Sequence, residues 1–334
     1  MSAAPKRLLE AWYGAAPPPW WARALEPIYR ALAAARRGAY RRGWLRSGHP
    51  GRPVVIVGNI TAGGAGKTPL VAHLVQCLAA QGRAPAIVSR GYGGAEPRRP
   101  HRVSGDDAVE FTGDEPRLLA QMTGRPVWIC RDRLAAAQAA VAAGADVIVA
   151  DDGLQHYRLR RDLEIVVVDG RRGFGNGRCL PAGPLREPLT RLAAADLVVC
   201  NGGGACPPGA LTMQLSADEA IRLDGSLRRR LPEFAPGPVH AVAGIGDPER
   251  FFTMLEAHGL QVVRHPLADH APVPPELFTP SDGLPVLMTA KDAARCSGEP
   301  RAAACWQVPV VPDFGTDAQR LLAVLARRLC LREA

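Results

Sequence analysis

Short runs of aliphatic, largely β-branched residues recur along the chain, each followed by a turn residue and then by a stretch with helical spacing. The run at residues 54–57, VVIV, ends on Gly58, and apolar Leu70, Val71, Leu74, Val75 and Leu78 then repeat at three and four. That is the pattern of a buried parallel strand feeding a helix. Further strands are predicted at 85–89 (PAIVS), 127–130 (VWIC), 146–152 (DVIVADD), 163–169 (LEIVVVD) and 197–200 (LVVC), with helices after residue 117 and over 133–143. A second series follows at 240–246 (HAVAGIG), 261–265, 286–289 (VLMT) and 308–311, with helices over 247–258 and 318–328. Alternating strands and helices predict an α/β fold, a mostly parallel sheet with flanking helices. The stretch 201–238 is rich in glycine and proline and weakly periodic, which predicts a domain junction. The chain then divides into an N-terminal segment (1–50), a main domain (51–235) and a smaller C-terminal α/β domain (236–334).

The turn after the first strand changes the picture from fold to chemistry. Thr61, Ala62, Gly63, Gly64, Ala65, Gly66, Lys67 and Thr68 form a P-loop in which Thr61 stands where the usual pattern has its first glycine. Its glycines let backbone N–H groups approach an anion, Lys67 adds a charge for the outer phosphates, and Thr68 offers a hydroxyl to magnesium. ATP with Mg2+ is the expected ligand, and the sheet is of the P-loop NTPase type. Asp151 and Asp152 end an apolar strand in the Walker B manner, one for the metal and the other for the neighbouring network, with no indication which is which. Arg90 and Tyr92, in the loop RGYGG, either touch substrate or belong to a plain glycine turn. Asp114 of TGDEP has the position of a helix N-cap as well as of a catalytic acid. Gln155 and His156 follow the paired acids, where they either orient a water or substrate hydroxyl or simply bond in a surface turn. The long loop 170–191 carries Arg171, Arg172, Arg178, Arg186 and Arg191, a candidate grip on an anionic substrate.

Composition agrees with a folded protein, since 47% of the 334 residues are hydrophobic and 22% charged. The net charge of +9 predicts an anionic partner. Much of that charge precedes residue 50, where nine Lys and Arg are interleaved with Trp12, Tyr13, Trp20, Trp21, Tyr29, Tyr40 and Trp44. Arginines mixed with aromatic residues describe a helix at a membrane interface, or a basic helix packing its aromatic face on the main domain. Nucleic acid would account for the charge but not for the aromatic residues, so no nucleic-acid partner is expected. No run is long enough to span a bilayer, and the N-terminus lacks the apolar core of a signal peptide, which predicts a cytoplasmic location. The eight cysteines show no metal-binding spacing and are expected to be reduced thiols.

The segments GNITAGGAGKTP, SRGYGG, TGDEP, DDGLQHYRLRRDLEIVVVDG, LPAGPLREP, LADH and MTAKD, in that order, resemble the tetraacyldisaccharide 4'-kinases of lipid A biosynthesis. The resemblance implies transfer of the ATP γ-phosphate to the 4'-hydroxyl of an acylated glucosamine disaccharide 1-phosphate by a peripheral enzyme on the cytoplasmic face of the inner membrane. It further implies that Asp114 accepts the sugar hydroxyl proton and that His270 of LADH pairs with it from the second domain. Glu115, Asp151 and Asp152 would belong to the magnesium network, with Gln155 and His156 nearby. Two rivals are a P-loop kinase for a soluble phosphorylated metabolite and a GTPase-type switch. The latter would want an [NT]-K-x-D motif, whereas Thr289, Ala290, Lys291 and Asp292 have the wrong spacing.

Overall fold

The computed structural model describes residues 3–105, 107–269, 271–296 and 299–329. Two helices, α1 (Ala3–Tyr13) and α2 (Trp20–Arg41), precede the first strand. From there strands and helices alternate: β1 (Val54–Gly58), α3 (Lys67–Ala80), β2 (Pro85–Ser89), β3 (His101–Arg102), the short α4 (Val109–Thr112), α5 (Asp114–Thr123), β4 (Val127–Ile129), α6 (Arg133–Ala142) and β5 (Val147–Asp151). Three more strands, β6 (Leu163–Asp169), β7 (Leu197–Asn201) and β8 (Leu211–Ser216), extend the same sheet. A second sheet holds β9 (Glu219–Arg222), β10 (Arg228–Arg230), β11 (Pro238–Ala243), β12 (Gln261–Pro266), β13 (Val286–Thr289) and β14 (Trp306–Val308), with α7 (Pro248–Ala257) and α8 (Ala290–Arg295) between its strands. Finally β15 (Val311–Asp313) and α9 (Ala318–Leu329) return to the first.

The nine-stranded sheet has the order β15-β8-β7-β6-β1-β5-β2-β4-β3 and is parallel except at its two edge strands. The period of two along β1 decides its two cores. Val55 and Val57 face α3, where Leu70, Leu74, Val75 and Leu78 form the inner stripe, while Val54 and Ile56 face the alanines of α6. Each of these fully buried aliphatic side chains is worth about 1.5–3 kcal/mol. Val57 sits opposite Asp151 in the pairing of β1 with β5, so the P-loop and the paired acids leave the sheet side by side at its carboxyl edge.

Two features depart from the sequence reading. The second sheet begins at Glu219 and ends at Val308, whereas spacing along the chain puts the border at 235/236 and leaves everything after it in one domain. β15 instead pairs with β8, and Leu321, Leu325 and Leu329 of α9 close the α3 side of the first core. A stripe repeating every four residues identifies a helix but not which core lacks cover. The second departure corrects the expectation of reduced thiols throughout. Cys200 and Cys206, with Cα atoms 5.6 Å apart, form a disulfide across the glycine-rich loop that follows β7.

Candidate active site

Local chemistry shapes the P-loop before any ligand is considered. Asn59 donates from Nδ2 to the carbonyl of Gly63 (3.1 Å) and accepts from Lys67 Nζ (3.3 Å), drawing the two ends of the loop together. On the other side Asn201, at the end of β7, donates to the carbonyl of Ala65 at 3.1 Å. Gly66 has φ +85°, and a Cβ there would lie 2.2 Å from Asn201 Nδ2, so no other residue fits. No described side chain caps the amino end of α3, which leaves its first-turn N–H groups and the helix dipole for an anion.

Asp151 and Asp152 adopt opposite characters. Asp152 has φ +47°, an uncommon conformation for a non-glycine residue. Its carboxylate meets Arg186 Nη1 at 3.1 Å and Lys67 Nζ at 3.4 Å, and its carbonyl accepts from Arg133 at 2.9 Å. Burial alone would raise its pKa, but Lys67, Arg186 and Arg133 together outweigh it and hold the group near 2. Asp151 is 1% exposed, and its Oδ1 has no hydrogen-bond partner among the described residues. Burial, reinforced by the charge of Glu115, pushes it up to about 7. One carboxylate is thus permanently charged and neutralised by cations. The other carries an orphaned oxygen that a metal cation would satisfy. Thr68 lies in the first turn of α3 beside Lys67, and the charge of Glu115 reaches Asp151, so both are candidates to share a hard cation with it. Among the described residues no cluster of three or more His, Cys, Asp or Glu could cage a metal.

The acids of α5 face the second sheet. Asp114 is the first residue of α5, not its N-cap: the chain enters through Gly113, whose φ of +80° brings it against the Tyr92 carbonyl, and Asp114 Oδ1 accepts from the Glu115 N–H at 3.0 Å. Asp114 is 5% exposed, and its Oδ2 accepts from Arg295 Nε at 2.9 Å and Nη2 at 2.6 Å. Glu115 pairs with Lys291 at 3.5 Å, and Lys291 also meets Asp269 at 3.1 Å. His270 lies outside the described residues.

Other sequence candidates take positions that spacing could not reveal. Gln155 donates to the Asn59 carbonyl and to Glu187, each at 3.1 Å, and so braces the end of β1. Arg171 is tied to Asp247 at 3.2 Å, while its neighbour Arg172 donates to the carbonyl of Gly246 and lies beside Gly63 of the P-loop. Arg178 and Arg191 pair with Glu26 and Glu164, which removes them from the grip ascribed to this loop. Arg90 pairs with Glu96 at 3.0 Å, and Tyr92 is largely exposed in the loop against Gly113. Asn59, Arg133, Asn201, Lys291 and Arg295 were not singled out by sequence. Only the last two left a signal, a four-residue spacing that puts both cations on one side of a helix.

His156 is neutral in the folded protein. Its Nε2 stands 3.7 Å from Asp132, too far for a hydrogen bond, and burial together with the nearby Arg133 guanidinium lowers its pKa from 6.5 to about 4. Because the folded value is the depressed one, this group's contribution is complete above pH 6.5 and is lost as pH falls toward 4, by roughly 3 kcal/mol in all. A His156→Asn variant should therefore lose less thermal stability than the parent between pH 7 and pH 4.5. Parallel melting curves against pH would contradict this.

The α2 helix both packs and exposes an apolar face. Ala22 and Glu26 are buried, with Glu26 accepting from Arg178 and from the backbone N–H of Cys179, and Tyr29 donates to the Arg186 carbonyl at 2.9 Å. Trp20 (77% exposed), Trp21, Leu25, Ile28 and Leu32 (67%) face outward, and Trp44 extends this surface. Among the described residues no helix is long and apolar enough to cross a membrane.

A family model described as tetraacyldisaccharide-1-P 4'-kinase matches residues 19–330. The tetraacyldisaccharide 4'-kinase of Alkalilimnicola ehrlichii is 50% identical over 327 residues, covering 93% of this chain and 95% of that protein. The protein of the same name from Stenotrophomonas maltophilia is 50% identical over 293 residues, covering 85% of this chain and 86% of its own. Among solved structures, the "apo" form of LpxK from Aquifex aeolicus in complex with ATP superposes with a TM-score of 0.77 at 26% identity, covering 92% of this chain and 98% of that one.

Proposed function

The chain belongs to the tetraacyldisaccharide-1-P 4'-kinase family, and we propose that its P-loop edge and the acids of α5 divide the work of that reaction. The protein is an ATP-dependent kinase that transfers the γ-phosphate to the 4'-hydroxyl of tetraacyldisaccharide 1-phosphate, a step of lipid A biosynthesis. Phosphoryl transfer depends on in-line placement and neutralisation of charge more than on covalent help. The P-loop amides and Lys67 hold the outer phosphates, with Arg172 and Arg186 at the rim. Asp152 keeps Lys67 extended toward them. Thr68, Asp151 and Glu115 are the residues that would hold Mg2+, which when bound offsets charge on the phosphate oxygens. Asp114 accepts the proton of the sugar hydroxyl, with His270 as the partner that the family resemblance implies. Arg90 and Tyr92 flank the acceptor. The observation that carries this reading is the orphaned, buried oxygen of Asp151 next to the Lys67–Asp152–Arg186 network.

The direct test is incubation with labelled ATP, Mg2+ and tetraacyldisaccharide 1-phosphate in detergent micelles. Label should appear in a bisphosphorylated lipid. Label released only as inorganic phosphate would overturn the reading, and equal rates on a deacylated, water-soluble disaccharide would favour the kinase for a soluble metabolite.

The acceptor's acyl chains keep it in a bilayer, so the enzyme must come to the surface, and the outward face of α2 with its arginines suits the cytoplasmic side of the inner membrane. Because α2 also buries Glu26 and Tyr29 against the loop carrying Arg186, deleting it would disturb the site, and surface substitutions make the cleaner experiment. Replacing Trp20, Ile28 and Leu32 together by Gln should weaken binding to anionic vesicles on the order of 10²-fold while leaving nucleotide binding intact. Unchanged vesicle binding would remove α2 from this role.

A further inference from the structure

The two acids that open α5 each meet one cation from α8. Lys291 and Arg295 stand four residues apart on that helix; the first pairs with Glu115 and the second with Asp114. Arg295 is itself held from behind. Its Nη1 donates to Asp292 Oδ1 at 2.9 Å, and Asp292 is fully buried, accepting from the Gly244 N–H at 2.9 Å and the Thr289 hydroxyl at 2.5 Å. The guanidinium is therefore fixed to the carboxyl end of β11 before it reaches across to α5.

A cation that served only to pin α8 against α5 would need one contact. Arg295 makes two, from Nε and Nη2, to the same carboxylate oxygen. The χ2 torsion of an aspartate is broad, and with the Glu115 N–H on Oδ1 the two Arg295 contacts on Oδ2 leave the carboxylate a single plane. The other oxygen, Oδ1, accepts from the Glu115 backbone N–H at 3.0 Å and borders the SRGYGG loop, where a Cβ on Gly93 would lie 3.9 Å from it.

We infer that Arg295 is a positioning residue for the phosphoryl transfer, acting through Asp114 by fixing the plane of its carboxylate. The inference rests on the assignment of Asp114 as proton acceptor made above. A loose transition state asks its base for placement more than for basicity, so a guanidinium fork on that base is compatible with the chemistry. Lysine cannot replace the fork, since an ammonium is a point charge without a plane.

The test uses the full chain in detergent micelles with ATP, Mg2+ and tetraacyldisaccharide 1-phosphate, comparing Arg295→Gln, Arg295→Lys, Asp114→Ala and the double variants. Arg295→Gln should lower kcat by about 10²-fold with KM for ATP near that of the parent. Arg295→Lys, which retains the charge between Asp114 and Asp292 and keeps the test open should the glutamine variant fail to fold, should remain about 10-fold below the parent or lower. Removing Arg295 from the Asp114→Ala protein should cost nothing more. Full activity in Arg295→Lys, or losses that multiply in the double variant, would reduce Arg295 to a structural pin and leave the assignment of Asp114 standing. Near-normal turnover of Asp114→Ala alone would overturn that assignment, and the role of Arg295 with it.

Discussion

Replacing Lys67 by alanine is expected to lower kcat/KM for ATP by on the order of 10³-fold. Lys67 opens α3, where the first-turn N–H groups already favour an anion, and its ammonium is held between Asn59 Oδ1 and Asp152 Oδ1. Removing it deletes a full charge from the place where the transferred phosphoryl group develops its own. The fold should survive. Asp152 keeps Arg186 and Arg133, and α3 is anchored by Leu70, Leu74, Val75 and Leu78 beneath the sheet. Steady-state kinetics with a melting curve for the same sample decide the matter. A loss below 10-fold in a folded protein would shift the main burden of charge to Arg172 and Arg186.

The second large effect is expected at Asp114. As the acceptor of a hydroxyl proton it contributes on the order of 10²–10⁴-fold to turnover, and Asp114→Ala should lose that factor while nucleotide affinity, measured with a fluorescent ATP analogue, stays near that of the parent. The alanine variant also strips a charge-assisted partner from Arg295, whose side chain is 11% exposed, at about 1–3 kcal/mol of stability. Asp114→Asn separates the two effects, because it keeps the shape and one acceptor oxygen but cannot take the proton. An asparagine variant as fast as the parent would leave Asp114 as nothing more than the partner of Arg295.

Much of the first sheet could be read directly from the chain. Runs such as VVIV at 54–57 and LEIVVVD at 163–169 are buried on both faces, and only a central parallel strand wants that composition. The P-loop was equally plain, since its glycines and Lys67 are contiguous and their chemistry is local. The N-cap reading of Asp114 failed for a local reason as well: Gly113, by adopting positive φ, already makes the turn into α5. Asp151 and Asp152, by contrast, are identical in sequence terms. They separate because Lys67, Arg186 and Arg133 outweigh burial at Asp152, whereas at Asp151 burial and the charge of Glu115 outweigh Lys67 and Arg133. Gln155 and Arg171 are candidate substrate contacts by sequence, and the fold supplies them with Glu187 and Asp247 as partners.

By itself, then, the sequence determined the α/β class, the order of the strands' chemistry and the nucleotide loop, because hydrophobic period, glycine placement and a helix's first turn act between near neighbours. Only the tertiary structure decided which acid is neutralised, which arginine stands over the P-loop, which core α9 completes and that Asp114 is gripped by Arg295 from 181 residues away. Electrostatics and burial depend on distance through space, and a linear spacing carries no measure of it until the chain has folded.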